Sequence, residues 1–238
     1  MTGFLGILRL DTRFPRPLGD IGNAQTFAFP VRHAIVSGAS PQRVVRERAN
    51  SLLEPFITAG QGLIAQGALA IGTSCGFLSL YQRQLAAALA VPVATSSLLQ
   101  ISWLRALWPA REIGVITVDA LALDRDHFEA VGVQEPVVVE GIDPNGRLAR
   151  CLLDDEPALD MAAAEDETID AARRLIARHP QAGAIVLECT NMPPYAAAVR
   201  RAIGRPVYDV VTMLNWLWAG MQGDAEVRAR PWPAQLKP

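Results

Sequence analysis

Two cysteines stand at the same point of two similar segments, "LAIGTSCGFLSLYQ" (69–82) and "AIVLECTNMPPYAA" (184–197). Each follows a short apolar run of strand character and precedes a run of helical period. In an open parallel sheet that point is the carboxyl end of a strand, where ligands bind. Free N–H groups and the dipole of a helix start are expected to draw Cys75 and Cys189 from roughly 8.5 toward neutrality. The same groups suit a carboxylate. Two such thiols facing each other across a cleft fit one task. One thiolate takes a proton from a carbon, and the opposed thiol returns one to the other face. The outcome is inversion of a stereocentre.

The elements that must position this pair are those of an α/β chain with parallel strands. Candidate strands are 4–10, 68–72, 91–94, 113–118, 136–139, 184–187 and 206–210. A helix is expected from Ser40 as N-cap and Pro41 at the first helical position, with Val44, Val45, Ala49, Leu52, Leu53 and Phe56 on one face. A second is "EDETIDAARRLIARH", acidic at its start and basic at its end as the helix dipole favours. At an offset of 114, Ala70 pairs with Ala184, Ile71 with Ile185, Cys75 with Cys189, Tyr81 with Tyr195, Ala88 with Ala202, Pro92 with Pro206 and Val93 with Val207. A second echo links "GILRLD" to "GVITVD" at an offset of 108. Part of this agreement follows from an alanine-rich composition, but the shared scheme of strand, cysteine, helix and Pro-Val reads as a duplication. The expected fold is two similar flavodoxin-like parallel-sheet lobes related by a pseudo-twofold axis, with the site in the cleft between them. The lobes would be 1–96 with the returning segment 207–238, and 97–206. The tail "GDAEVRARPWPAQLKP" reads as an irregular extension.

The bulk numbers narrow the function. With 238 residues there is ample core, and 50% hydrophobic against 19% charged residues is ordinary for a globular chain. A net charge of -2 without basic runs argues against nucleic acid or an anionic membrane as partner. The start "MTGFLGILRLDTRF" lacks a basic region and is not read as a signal peptide. No apolar run is long enough to span a bilayer. Three scattered cysteines do not form a disulfide framework, and a reducing cytoplasm is the expected setting. The histidines His33, His127 and His179 show no ligand spacing with them, so no metal is expected. The single lysine, Lys237, lies in the tail, which makes a pyridoxal Schiff base a poor reading. Cofactor-free acid–base chemistry is what remains.

With these residues in view, the chain resembles the aspartate/glutamate/hydantoin racemase superfamily. "ECTNMP" (188–193) is similar to the Cys-Thr-His-aromatic-Pro motif of glutamate racemases, with Asn191 in the place of histidine. "GTSCGF" resembles the first-cysteine loop, without its Cys-Asn-Thr. "GILRLDT" is similar to the strand that delivers an acid or small polar group to the first cysteine, here Asp11. "GVIT" resembles the strand whose final threonine, here Thr117, lies beside the substrate. The resemblance implies Cys75 and Cys189 as the acid–base pair, in a cradle of Asp11, Thr73, Ser74, Gly76, Phe77, Thr117, Thr190 and Asn191. Thr73, Ser74, Thr190 and Asn191 also suit plain N-capping, and Cys151 reads as a buried small hydrophobe. The implied activity is a cofactor-independent racemase or epimerase of a small amino acid, carboxylate or cyclic ureide, working as a homodimer. Rival readings are an arylmalonate-type decarboxylase or maleate-type cis–trans isomerase on the same scaffold, and a non-catalytic two-lobed binder.

Overall fold

The computed structural model describes residues 3–221; the tail read above, with Lys237, lies outside the described residues. The chain runs β1 (Phe4–Leu10), β2 (Val31–Val36), α1 (Leu53–Ala65), β3 (Ala68–Thr73), α2 (Gln82–Ala88), β4 (Val93–Ala94), α3 (Gln100–Leu107), β5 (Glu112–Thr117), α4 (Arg125–Ala130), β6 (Val138–Gly141), α5 (Arg147–Leu153), α6 (Met161–Arg178), β7 (Ala182–Leu187), α7 (Ala196–Ile203), β8 (Val207–Tyr208) and α8 (Val210–Met221). Every strand pairing is parallel, in two four-stranded sheets of the same order, β2-β1-β3-β4 and β6-β5-β7-β8. Central strands covered on both faces must be apolar throughout. Leu5, Ile7 and Leu8 of β1 and Ala184 through Leu187 of β7 are accordingly buried without interruption.

The duplication extends to register. Ile71 faces Val93 as Ile185 faces Val207, each pair separated by the offset of 114. Leu5 faces Ala70 as Ile113 faces Ala184, and both central pairs slip register at equivalent points, Phe4/Leu5 and Glu112/Ile113. The two sheets are therefore built by one rule, and their cysteine loops leave corresponding strand ends.

Three features depart from the sequence reading. Strand β2 was not anticipated: it is an edge strand whose half-exposed "VRHAIV" lacks an apolar run. The helix expected from Ser40 to Phe56 is split. A π-helical turn, Gln42–Arg46, ends in a loop with positive φ at Arg48, Ala49 and Ser51 before α1 begins. The break lets the Tyr81 hydroxyl donate to the Ala49 carbonyl and Arg48 reach Asp124 and Asp126 of the second lobe. Val207–Tyr208 stays in the second sheet as β8, so the passage to the first lobe begins only at α8. There Val210, Met213, Leu214 and Trp218 pack with Leu5, Ile7 and Ala70 of β1 and β3. Among the described residues no helix is long and apolar enough to cross a membrane.

Candidate active site

Cys75 and Cys189 line one cavity between the lobes, together with Ser74, Gly76, Phe77, Glu188, Thr190 and Asn191. Its outer wall is apolar and comes from both lobes: Leu10, Phe14, Pro41 and Val45 from the first, Val118, Leu152 and Leu153 from the second. The cavity is narrow, about 30 Å³. The N-terminal loop forms part of that closure. Asp155 accepts from the backbone N–H groups of Arg13 (2.6 Å) and Phe14 (3.2 Å), which anchors the segment that brings Phe14 to the wall.

The two cysteine loops are cross-braced. Thr190 Oγ1 donates to the Ser74 carbonyl at 2.7 Å, and Ser97 Oγ donates to the Leu187 carbonyl at 2.7 Å. Gly76 is required by this contact. A Cβ there would sit 2.2 Å from Glu188 Oε1 and 2.4 Å from the Glu188 carbonyl oxygen. The Cys189 thiol donates to Asn191 Oδ1 at 3.6 Å, and Asn191 Nδ2 donates to Asp20 Oδ2 at 2.6 Å. Asp20 is itself buried and held by Arg16 at 3.2 Å and by the N–H of Gly22 at 2.6 Å. Asn191 thus occupies the place of the expected histidine as a bridge between thiol and carboxylate.

Seven expected site residues meet at the wall: Ser74, Cys75, Gly76, Phe77, Cys189, Thr190 and Asn191. Two lie one layer behind. Thr117 Oγ1 donates to Glu188 Oε2 at 2.7 Å, and Thr73 Oγ1 donates to the Thr95 carbonyl at 2.6 Å. Asp11 departs from expectation: it is exposed and off the wall. The Leu10 N–H is taken by Ser74 Oγ and the Asp11 N–H by the Ala39 carbonyl, so the chain turns outward after β1.

The electrostatics also correct the sequence reading. Both thiols are pushed up, not down: Cys75 to about 12 and Cys189 well above its ordinary value. Burial is the main cause in each, followed by the Glu188 charge. The opposing helix starts are weak. Cys75 is followed by a short 3-10 segment, Gly76–Tyr81, and Cys189 by a turn before the 3-10 residues Pro193–Tyr195. Dipoles of such short segments are small. The N–H groups of Phe77 and Leu78 at Cys75, and of Asn191 at Cys189, lower the thiols without offsetting burial.

Glu188 is a wall residue of the cavity outside the set expected from sequence. It is wholly buried, and burial pushes its carboxyl up to about 8, against the hydrogen bond from Thr117. An acid directly before the second cysteine, closing an otherwise apolar strand, was the signal available in "VLECT". Among the described residues no group of three His, Cys, Asp or Glu side chains is arranged to hold a metal ion.

The chain shares its fold with solved structures of arylmalonate decarboxylase and of aspartate and glutamate racemases. Unliganded arylmalonate decarboxylase superposes with a TM-score of 0.60 at 17% identity, covering 94% of each chain. An aspartate racemase homologue from Pyrococcus horikoshii OT3 gives 0.57 at 12% identity, over 93% of this chain and all of that one. A glutamate racemase isoform from Bacillus anthracis gives 0.55 at 15%, over 92% and 82%. In sequence, the chain is similar to enzymes of another name. Dimethylsulfoniopropionate lyase 7 of Emiliania huxleyi (strain CCMP1516) is 27% identical over 245 residues, 96% of this chain and 70% of the relative. The dimethylsulfoniopropionate lyase of Durusdinium sp. clade D is 26% identical over 243 residues, 96% of this chain and 78% of the relative. Against lyases 3 and 6 of the same Emiliania strain the chain spans 62% of the relative's length. No protein-family model matches the chain.

Proposed function

We propose that this chain is a cofactor-independent enzyme that removes the proton next to a carboxylate with a cysteine thiolate. We further propose that it completes the reaction by elimination, as a lyase of dimethylsulfoniopropionate or a close analogue. The observation that carries the reading is the meeting of Cys75 and Cys189 on one closed cavity at equivalent strand ends. The similarity to lyases over 96% of the chain favours elimination as the second step.

The chemistry balances without a redox partner. The carboxylate lies against the backbone N–H groups that open the two cysteine loops, which take up the charge that grows on it as the carbon is deprotonated. The C–H electron pair becomes the new C=C bond, and the C–S pair leaves with sulfur as dimethyl sulfide. The proton stays on the cysteine, and the product is acrylate. Both thiols are pushed up chiefly by burial. Positive charge entering the cavity favours a thiolate, its proton passing to solvent, and the proton taken from the substrate restores the thiol. A sulfonium at about 4 Å, at an effective dielectric constant near 20, supplies about 4 kcal/mol toward the thiolate. That is about three pKa units.

Racemisation is the second reading, and the second cysteine favours it. An elimination needs one base, whereas inversion needs an acid on the opposite face. The two are separated by incubating the protein with dimethylsulfoniopropionate under headspace gas chromatography, and with single-enantiomer amino acids and hydantoins in heavy water under proton NMR. Dimethyl sulfide release supports the lyase; α-deuteration with loss of optical rotation supports the racemase. Carbon dioxide from an arylmalonate would instead indicate a decarboxylase. Cys75→Ser and Cys189→Ser are each compared with Cys151→Ala, a buried cysteine that does not line the cavity. Loss of the thiol acting as base is expected to cost about 10²–10⁴-fold, while Cys151→Ala turns over normally. Undiminished activity in both serine variants would refute thiol chemistry here.

A further inference from the structure

Glu188 has no assigned part in the thiol chemistry, yet it lines the same cavity. Its Oε2 is satisfied by Thr117, but Oε1 has no hydrogen-bond partner among the described residues. That oxygen lies over the Cα of Gly76, where no side chain fits between. No Lys, Arg or His pairs with it among the described residues. The cation whose charge reaches Cys75, Arg16, is already engaged by Asp20 at 3.2 Å and Thr12 at 2.9 Å.

The scaffold itself does not call for an acid at this position. The counterpart of Glu188 in the first lobe is Ser74. Each makes the same backbone bond to the central strand, Ser74 N to Leu8 O at 2.9 Å and Glu188 N to Ile116 O at 2.8 Å. Ser74 Oγ is engaged, accepting from the Leu10 N–H at 3.0 Å. Glu188 is therefore a local addition that costs stability unless something answers it.

An unanswered carboxyl oxygen on a cavity wall is matched by a ligand bearing either an N–H donor or a positive charge. The remaining wall distinguishes the two. Leu10, Phe14, Val45, Leu152 and Leu153 have apolar side chains. The polar wall residues Ser74, Thr190 and Asn191 are already engaged with the Leu10 N–H, the Ser74 carbonyl, and Cys189 with Asp20. An ammonium with several N–H bonds would therefore leave most of them unmet. A cation clad in methyl groups has none to satisfy and packs against apolar side chains.

We propose that Glu188 is the counter-charge for a methylated cation, a sulfonium or quaternary ammonium, on a carboxylate-bearing ligand, and so selects zwitterions over neutral molecules of the same shape. The inference rests on reading this cavity as the substrate site. It carries a pH signature, because Glu188 is held protonated up to about 8 and answers the cation only once ionised. Other charged or titratable groups around it are Cys75 and Cys189, which are protonated over this range in the ligand-free chain, and the paired Arg16 and Asp20.

The test is calorimetric binding of 3-(trimethylammonio)propanoate, whose amine is a poor leaving group, against its neutral isostere 4,4-dimethylpentanoate. The wild-type chain is expected to prefer the cation by about a hundredfold at pH 9, falling about tenfold on going to pH 7. Glu188→Gln is expected to bind both ligands alike at either pH. Equal binding by the wild type, binding of neither ligand, or a preference that survives Glu188→Gln would overturn the proposal. Should Glu188→Gln fail to fold, the wild-type pH dependence of the preference decides, and its absence is a refutation. The readout is affinity, not turnover. A Glu188-dependent preference without dimethyl sulfide release would sink the lyase reading alone. Dimethyl sulfide release with a preference indifferent to Glu188 would sink this one alone.

Discussion

A single methyl on Gly76 tests whether the close seating of the two cysteine loops sets the rate. Ordinary contact starts near 3.4 Å, whereas an alanine Cβ would lie 2.2 Å from Glu188 Oε1 and 2.4 Å from the Glu188 carbonyl oxygen. The carboxyl can swing aside, but the carbonyl cannot. It belongs to the end of β7, whose preceding carbonyl is pinned by Ser97 Oγ at 2.7 Å. The loop carrying Cys75 must therefore back away from the loop carrying Cys189 by about 1 Å. A misplacement of that size costs on the order of a hundredfold in rate. Overpacking of a tight site costs about 1–3 kcal/mol, or roughly 2–12 °C in melting temperature for a chain of this size. The control is Gly62→Ala in α1, where the added methyl meets nothing within 4 Å. It should raise stability by about 0.5–1 kcal/mol and leave turnover alone. Both variants are measured by dimethyl sulfide release and by thermal denaturation followed by circular dichroism. Wild-type turnover and melting in Gly76→Ala would refute the link between loop seating and rate.

Two further outcomes are expected. The carboxyl of Glu188 is raised from 4.5 to about 8 by burial, so the folded chain holds a proton that the unfolded chain releases. Its contribution to stability is complete below about pH 4.5 and is lost as pH rises through about 8. Urea unfolding from pH 5 to pH 8 should show that decline in the wild type and a flatter profile in Glu188→Gln; parallel profiles would count against a buried neutral acid. At the mouth, Asp155→Ala removes the acceptor that holds Arg13 and Phe14. It should raise KM about tenfold with little change in kcat, with partial recovery in Asp155→Asn; an unchanged KM would mean that Phe14 closes the cavity unaided.

The sequence made the repeated unit legible because its signal is redundant. Apolar runs, a cysteine and Pro-Val recur at one offset, and the observed register, with Ile71 opposite Val93 and Ile185 opposite Val207, reproduces it. The wall residues adjacent to the cysteines followed from chain proximity alone. What escaped depends on distances the sequence does not encode. Phe14, Leu152 and Leu153 come from segments far apart in the chain, and nothing local marks them as one wall. Asp11 looked like a site residue because it ends a central strand, but the bond of its N–H to Ala39 turns it out to solvent. The thiol pKa values were misjudged because a helix start is visible in sequence, whereas the desolvation that outweighs it is not.

The two halves of the site are alike in backbone and unlike in chemistry. At equivalent positions the first loop reads Ser74, Cys75, Gly76, Phe77 and the second Glu188, Cys189, Thr190, Asn191. Cys189 donates to an amide that is itself tied to the buried Asp20. Cys75 has backbone N–H groups and the more distant charge of Arg16. An enzyme that interconverts mirror images must run its two thiols in both roles, and closely matched surroundings keep the two directions comparable. Here burial and Glu188 raise both thiols, but Asp20 acts on Cys189 and Arg16 on Cys75, so the two surroundings are not matched. Such an unmatched pair suits a reaction that begins with a proton removed and ends with a leaving group lost. The repeated scaffold brings both cysteines to one cavity, and the residues around them, Glu188 among them, do not repeat.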